Sequence, residues 1–141
     1  MKKNSYILLL FALMCSSLFA QQNTFIRTYN LSGMHGGLAL AVMEDGGFVG
    51  TGQHSENGGT CKIYVYRIDE CGNIIWFNLY GSGGGGVSID ATSDEGVVIA
   101  ADGSKIIKID AFGNPEWEKN YSICSGYMTS VIQTSDDGYF A

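Results

Sequence analysis

Arg67-Ile68-Asp69-Glu70-Cys71-Gly72-Asn73-Ile74-Ile75-Trp76-Phe77-Asn78-Leu79-Tyr80 decides how this chain is read, because the stretch occurs twice. Lys108-Ile109-Asp110-Ala111-Phe112-Gly113-Asn114-Pro115-Glu116-Trp117-Glu118-Lys119-Asn120-Tyr121 repeats it 41 positions later. Both copies read basic-Ile-Asp-x-x-Gly-Asn-x-x-Trp-x-x-x-Tyr. In each, an alternating apolar segment runs into an Asp-to-Asn turn and returns as a second strand. Asp and Asn bond their own backbone in turns and glycine accepts positive φ, so each copy predicts an antiparallel hairpin.

A second hairpin precedes each copy. Leu38-Ala39-Leu40-Ala41-Val42-Met43 leads into Glu44-Asp45-Gly46-Gly47 and then Phe48-Val49. Val87 to Thr92 leads into Ser93-Asp94-Glu95-Gly96 and then Val97-Val98-Ile99. Thr129 to Thr134 leads into Ser135-Asp136-Asp137-Gly138 and then Tyr139-Phe140. The repeat is therefore four antiparallel strands, A to D, and Asp45, Asp94 and Asp136 mark it at intervals of 49 and 42 residues. The difference lies in the B–C link, long in unit one (Gly52 to Thr60) and tight in unit two (near Asp102-Gly103).

Four short strands every 40 to 50 residues predict an all-β fold of β-propeller-like blades. Strand D of unit one is apolar on both faces, with Ile74, Trp76 and Tyr80 on one and Ile75, Phe77 and Leu79 on the other. A half-solvated sheet carries polar residues on one side, whereas stacked blades bury both. Each large side chain so covered contributes roughly 1.5–3 kcal/mol. Phe25-Ile26-Arg27-Thr28-Tyr29 repeats the four-residue aromatic spacing of Trp76/Tyr80 and Trp117/Tyr121. Residues 24–29 are thus expected to be an isolated strand D that completes another blade and removes an open edge. Ala141 aligns with Ile99, inside strand B of a third unit. The expectation is about two and a half units, truncated at the C-terminus of residues 21–141, in a fragment of a longer protein.

Composition agrees with short strands and turns: 20 glycines, one proline and 16% charged residues among 141. Residues 1–20 read as a secretory signal peptide, with Lys2 and Lys3 before the apolar run Tyr6 to Met14 and cleavage after Ala20. Its removal leaves six basic against fourteen acidic residues, a net charge of −8. Such a charge repels phosphate backbones and anionic membranes, so no nucleic-acid partner is expected, and membrane contact is confined to the leader during export. The protein is expected to be secreted or held at the outer cell surface.

The turns Asp45-Gly46-Gly47-Phe48 and Asp136-Asp137-Gly138-Tyr139, with the Asp-x-x-Gly-Asn-x-x-Trp-x-x-x-Tyr stretches, resemble a bacterial family of large secreted or surface repeat proteins. Its members often carry a C-terminal type IX secretion sorting domain. The resemblance covers residues 24–141 and implies a propeller-like repeat domain without catalysis in the repeats. Unit two departs from the pattern at Glu95, where the middle glycine is expected, and residues 21–141 contain no sorting domain.

Candidate chemistry is sparse. Gly81-Ser82-Gly83-Gly84-Gly85-Gly86 satisfies Gly-x-Gly-x-x-Gly, but a dinucleotide site needs a helix next, and Val87 to Thr92 alternates as a strand. Asp136-Asp137-Gly138 lacks calcium-loop spacing. His35 and His54 are expected in glycine-rich loops with no nucleophile motif nearby. Glu116 and Glu118 read as solvated carboxylates on an outer strand. Trp76 and Trp117, identically placed in each unit, read as inter-unit packing rather than sugar platforms. Cys61 and Cys71 lie at opposite ends of strand C, roughly 30 Å apart at about 3.3 Å per residue, too far to bridge. Cys61 and Cys124 are expected on one rim but in different units. No catalytic, cofactor-binding or metal residue is assigned. The expected function is a non-enzymatic scaffold for adhesion or ligand binding, using rim loops 52–60 and 81–86 against an extracellular protein or glycan. The alternative is the N-terminal, non-catalytic part of a secreted enzyme such as a polysaccharide hydrolase.

Overall fold

The computed structural model describes residues 26–29, 34–56, 58–81, 84–121 and 127–141. The leader 1–20 lies outside them, as do Phe25 and Cys124. The described residues are all-β, in ten strands. A four-stranded antiparallel sheet comprises β1 (Met34–Val42), β2 (Phe48–Ser55), β3 (Lys62–Ile68) and β4 (Ile74–Tyr80), in sequence order. A second has the same order: β5 (Gly86–Ala91), β6 (Val97–Ala101), β7 (Lys105–Ile109) and β8 (Pro115–Asn120). β9 (Ile132–Gln133) and β10 (Tyr139–Phe140) pair as a third, two-stranded sheet.

The same turns recur because the same residues build them. At each A–B turn an Asp side chain accepts the N–H of the glycine two residues on: Asp45 from Gly47, Asp94 from Gly96 and Asp136 from Gly138. The middle residue takes a left-handed backbone in all three, at Gly46, Glu95 and Asp137. In the C–D turns, Asp69 Oδ1 accepts from the N–H groups of Cys71 and Asn73, and Asp110 Oδ1 from those of Phe112 and Asn114. These bonds hold Asp69 and Asp110 below the usual carboxylate range; the largest contributions come from the Asn73 N–H and the Asn114 side chain.

Strand register sorts the two faces of each sheet. In the first, Ala41, Val49, Arg67 and Trp76 are cross-strand neighbours on one face, and Leu40, Gly50, Tyr66 and Phe77 on the other. The first face meets the second sheet in a shared core: Val49, Ile63, Val65 and Tyr80 pack with Ile89, Val97, Ile99, Ile107 and Ile109. The second sheet turns its opposite face to unit three, where Val98, Ala100 and Ile106 cluster with Val131, Met128 and Trp117. Both faces of the second sheet are thus covered by neighbouring units.

Residues 26–29 form no strand pairing among the described residues. His54 belongs to β2, not to a loop, and is buried. The B–C link of unit one is correspondingly shorter than expected, because β2 continues through Gly52-Gln53-His54-Ser55 and its pairing with β3 reaches His54. His35 is also on a strand, in backbone register with His54.

Candidate functional site

Most of the polar side chains that the repeat places at fixed positions are engaged in latching one unit to itself or to the next. Tyr80 donates its hydroxyl to the Gly113 carbonyl at 2.7 Å, and the Asn78 amide donates to the same oxygen at 3.0 Å. Trp76 Nε1 donates to Ala111 O at 3.0 Å, and Arg67 to the same carbonyl at 3.2 Å. Four side chains of unit one therefore grip the C–D turn of unit two. Gly113 is required there twice over. Its φ is +85°, and a Cβ would stand 2.6 Å from the Asn78 amide and 3.1 Å from the Trp76 ring.

Residues 26–29 make the same grip on unit one. Tyr29 donates to Gly72 O at 2.6 Å, and Arg27 to the same oxygen at 3.3 Å and to Asn73 Oδ1 at 3.0 Å. Arg27 and Tyr29 are spaced as Asn78 and Tyr80 are, and Gly72 corresponds to Gly113 in the repeat.

In units one and two a strand-C cation is bonded to the A–B turn. Arg67 meets Asp45 at 2.8 Å. Lys108 is 1% exposed and meets both Asp94 and Glu116 at 2.8 Å, also donating to Ile109 O. Burial pushes the Asp94 carboxyl upward, but bonds from Lys108, Thr92 and the Gly96 N–H outweigh it and hold Asp94 at about 2. Burial likewise disfavours the charged Lys108, yet its two carboxylate partners raise it above the ordinary lysine value. Lys108 stays an ammonium and is a structural cation. Glu116 and Glu118 are therefore not simply solvated: the first pairs with Lys108 and the second with Lys105 at 2.9 Å.

The remaining polar chemistry gathers on one rim. A recess of about 220 Å³ is lined by His54, Glu56, Gly59, Thr60 and Lys62. His54 Nε2 lies 3.7 Å from Glu56. Of the two loops anticipated from the sequence, 52–60 supplies most of this lining, while the described part of 81–86 lies against β2 away from it. A Cβ on Gly85 would lie 2.8 Å from Gln53, and the Gly85 N–H bonds to Asp102. Gln53 also donates to the Cys61 sulfur, and Cys61 and Cys71 are both free thiols. Gly86 begins β5, so the glycine run leads into a strand and not a helix. Trp76 and Trp117 both lie between units. Trp76 packs on the shared core, and Trp117 meets the Tyr139 ring edge-on at 5.4 Å. No group of three metal-ligating side chains occurs among the described residues.

The sequence marked positions 67 and 108 only as basic. Their partners escaped it because Asp45 and Asp94 are 22 and 14 residues away. The tyrosine grip was hidden for the same reason, although the recurrence of Tyr at one offset from the Trp was its visible trace.

No family model matches the chain, and no curated protein matches it. Among solved structures, the chain is similar to the 1.35 Å crystal structure of a protein of unknown function from Bacteroides caccae, with a TM-score of 0.52 at 15% identity. The likeness covers 81% of this chain and 40% of that one, so the chain spans well under half the length of the protein it matches. At this identity the likeness concerns the fold alone.

Proposed function

We propose that the chain is a secreted, non-enzymatic repeat module that displays a variable rim for binding an extracellular protein or glycan. The carrying observation is how the residues that recur from unit to unit are used. Asp45, Asp94, Arg67, Lys108, Trp76 and Tyr80 are engaged in turns and latches, whereas Glu56, Thr60 and Lys62 line an open recess in a segment unit two lacks. Binding loops on a rigid frame are the usual division of labour in repeat folds.

The finer architecture is a β-propeller-like stack in which each four-stranded sheet is a blade. Residues 24–29 act as strand D of a blade lying against the first sheet, a role supported by the Arg27 and Tyr29 grip on Gly72. Export by the leader 1–20 places the module outside the cell or on its surface, as the resemblance to type IX-exported repeat proteins also suggests.

A glycan array probed with residues 21–141, alongside the Glu56→Ala/Lys62→Ala double variant, tests the reading. Selective binding by the parent, lost in a variant with unchanged circular dichroism, is expected. Binding that survives the double variant would place the site elsewhere. Hydrolysis of any bound glycan would overturn the non-enzymatic assignment.

A further inference from the structure

A second recess, of about 80 Å³, lies between units one and two, at the other end of β2 from His54. Met43, Glu44, Asp45 and Arg67 line it from unit one, and Ala91 and Glu95 from unit two. The corresponding place between units two and three shows what such a junction takes. Gln133 stands there, 42 residues after Ala91, and its side-chain amide bridges the two A–B turns. Its Oε1 accepts the Ser93 N–H at 2.7 Å, and its Nε2 donates to Ser93 Oγ at 3.3 Å and to Asp137 Oδ1 at 3.4 Å. Ser93 corresponds to Glu44 and Asp137 to Glu95.

At the first junction Ala91 supplies no such bridge. The Glu44 N–H and the Glu44 and Glu95 carboxylates have no partner among the described residues. Arg67 holds Asp45 and the Ala111 carbonyl through two of its nitrogens, but its Nε is buried and has no acceptor. Asp45 is committed to Arg67 and the Gly47 N–H, so the recess does not offer a metal ion enough oxygen ligands. The open groups call for an oxygen acceptor flanked by donors, beside the apolar Met43 and Ala91.

We propose that this recess binds the acetamido group of an N-acetylhexosamine. The acetamido oxygen accepts from the Glu44 N–H or the Arg67 Nε, as Gln133 Oε1 accepts from Ser93. The acetamido N–H and the neighbouring ring hydroxyl donate to the Glu44 and Glu95 carboxylates in charge-assisted bonds. The acetyl methyl packs on Met43 and Ala91. A sugar suits the first junction better than a second side-chain amide because both acceptors differ there. Glu44 is longer than Ser93 and cannot donate, and Glu95 is longer than Asp137. Carboxylates set further from the backbone match donors on two separate atoms, which one amide nitrogen does not supply. This site is distinct from the recess at His54.

Titration of isotope-labelled residues 21–141 with N-acetylglucosamine, followed by backbone amide chemical shifts, tests this. Saturable shifts at Glu44, Thr92 and Glu95 are expected. Ala91→Gln supplies the bridging amide from within the chain and is expected to abolish them. Glu95→Gly keeps the turn, removes one carboxylate and is expected to weaken binding about tenfold. It stands in for Ala91→Gln if that variant loses its fold, which the dispersion of its spectrum reports. Glucosamine, which lacks the acetyl group, is expected to leave these amides unmoved. Equal binding of glucosamine means that charge alone is read, and overturns the assignment. Equal or tighter binding of N-acetylglutamine amide gives the recess to a polypeptide side chain and also overturns it. So do an absence of shifts, shifts that persist in a folded Ala91→Gln protein, and shifts confined to Glu56, Thr60 and Lys62. That last pattern puts the sugar in the recess at His54 and supports the rim reading, so the two readings fail separately.

Discussion

Unit one and unit two share strand order, turns and register, yet they solve the same two problems with different side chains. On the back face, unit two presents Val97, Ile99, Ile107 and Ile109, which unit one covers completely. Unit one presents tyrosines there instead. Tyr66 lies over Gly50, where a Cβ would stand 2.5 Å from the ring, and Tyr29, Tyr64 and Phe77 surround it. Aromatic rings laid over strand glycines cover backbone with side chains from the same sheet. The aliphatic face is made to be covered by another sheet, and the aromatic one largely covers itself. The buried cation differs as well. Arg67 reaches across to the next unit through Ala111, while Lys108 is enclosed by carboxylates of its own unit. Turns and latches are therefore the fixed part of the repeat, and the faces change with what lies against them.

That contrast predicts its largest effect at the cation. Lys108→Ala is expected to cost about 3 kcal/mol, because a buried, doubly paired ammonium and its packed stem are lost together. Arg67→Ala is expected to cost less, about 1–2 kcal/mol, since its guanidinium is less deeply buried than the Lys108 ammonium and meets one carboxylate where Lys108 meets two. Urea denaturation of both variants checks the order, and equal losses would erase the distinction between the units.

The tyrosine grips come next. Tyr80→Phe is expected to destabilise by about 1–2 kcal/mol, because the buried Gly113 carbonyl loses one of its donors. Tyr29→Phe removes the corresponding bond at the edge and is expected to cost under about 1 kcal/mol. Thermal melts that rank Tyr29 above Tyr80 would show that residues 26–29 carry more of the fold than their position implies.

Acid acts on both units through their turns. Asp45, Asp69, Asp94, Asp110 and Asp136 are all held below the ordinary Asp value of 3.8. A carboxyl whose folded pKa is depressed stabilises the fold above its unfolded pKa and loses that contribution as pH falls through the folded value. The melting temperature is expected to be flat from neutral pH to about 4 and to fall between about 4 and about 2. The Asp94–Lys108 pair should be the last to break. A melt insensitive to pH in that interval would contradict the turn chemistry.

The smallest effect is local. Glu95 takes a left-handed backbone where unit one has Gly46. Glu95→Gly is expected to stabilise by about 0.5–1 kcal/mol, removing a Cβ from a conformation that opposes it. A destabilised variant would mean that the Glu95 side chain contributes something beyond the turn.

The legible part of the fold was the part written in short-range chemistry. The Asp-Gly and Asp-to-Asn turns bound strands of period two, so the eight strands of the first two units could be placed within a residue or two at most boundaries. Two-sided apolarity in Ile74 to Tyr80 predicts cover on both faces of that strand, yet Ile74, Ile75 and Leu79 are exposed, and it is the second sheet that has apolar clusters on both faces. The continuation of β2 through His54 was not legible, because Gly52 and the polar run after it look like a loop. Cross-strand pairing with Ile63 and Lys62 overrides that local preference. Nor could the rim recess be seen, since it needs Lys62 to fold back opposite His54 and Glu56.

The central claim is that a single four-stranded unit does not hold its shape without a neighbour. Far-UV circular dichroism and amide exchange on excised residues 84–121, set beside residues 21–141, test it most directly. An unfolded excised unit is expected, with Val97 to Ala101 amides protected only in the longer chain. A monomeric, folded unit two with those amides protected would contradict the account.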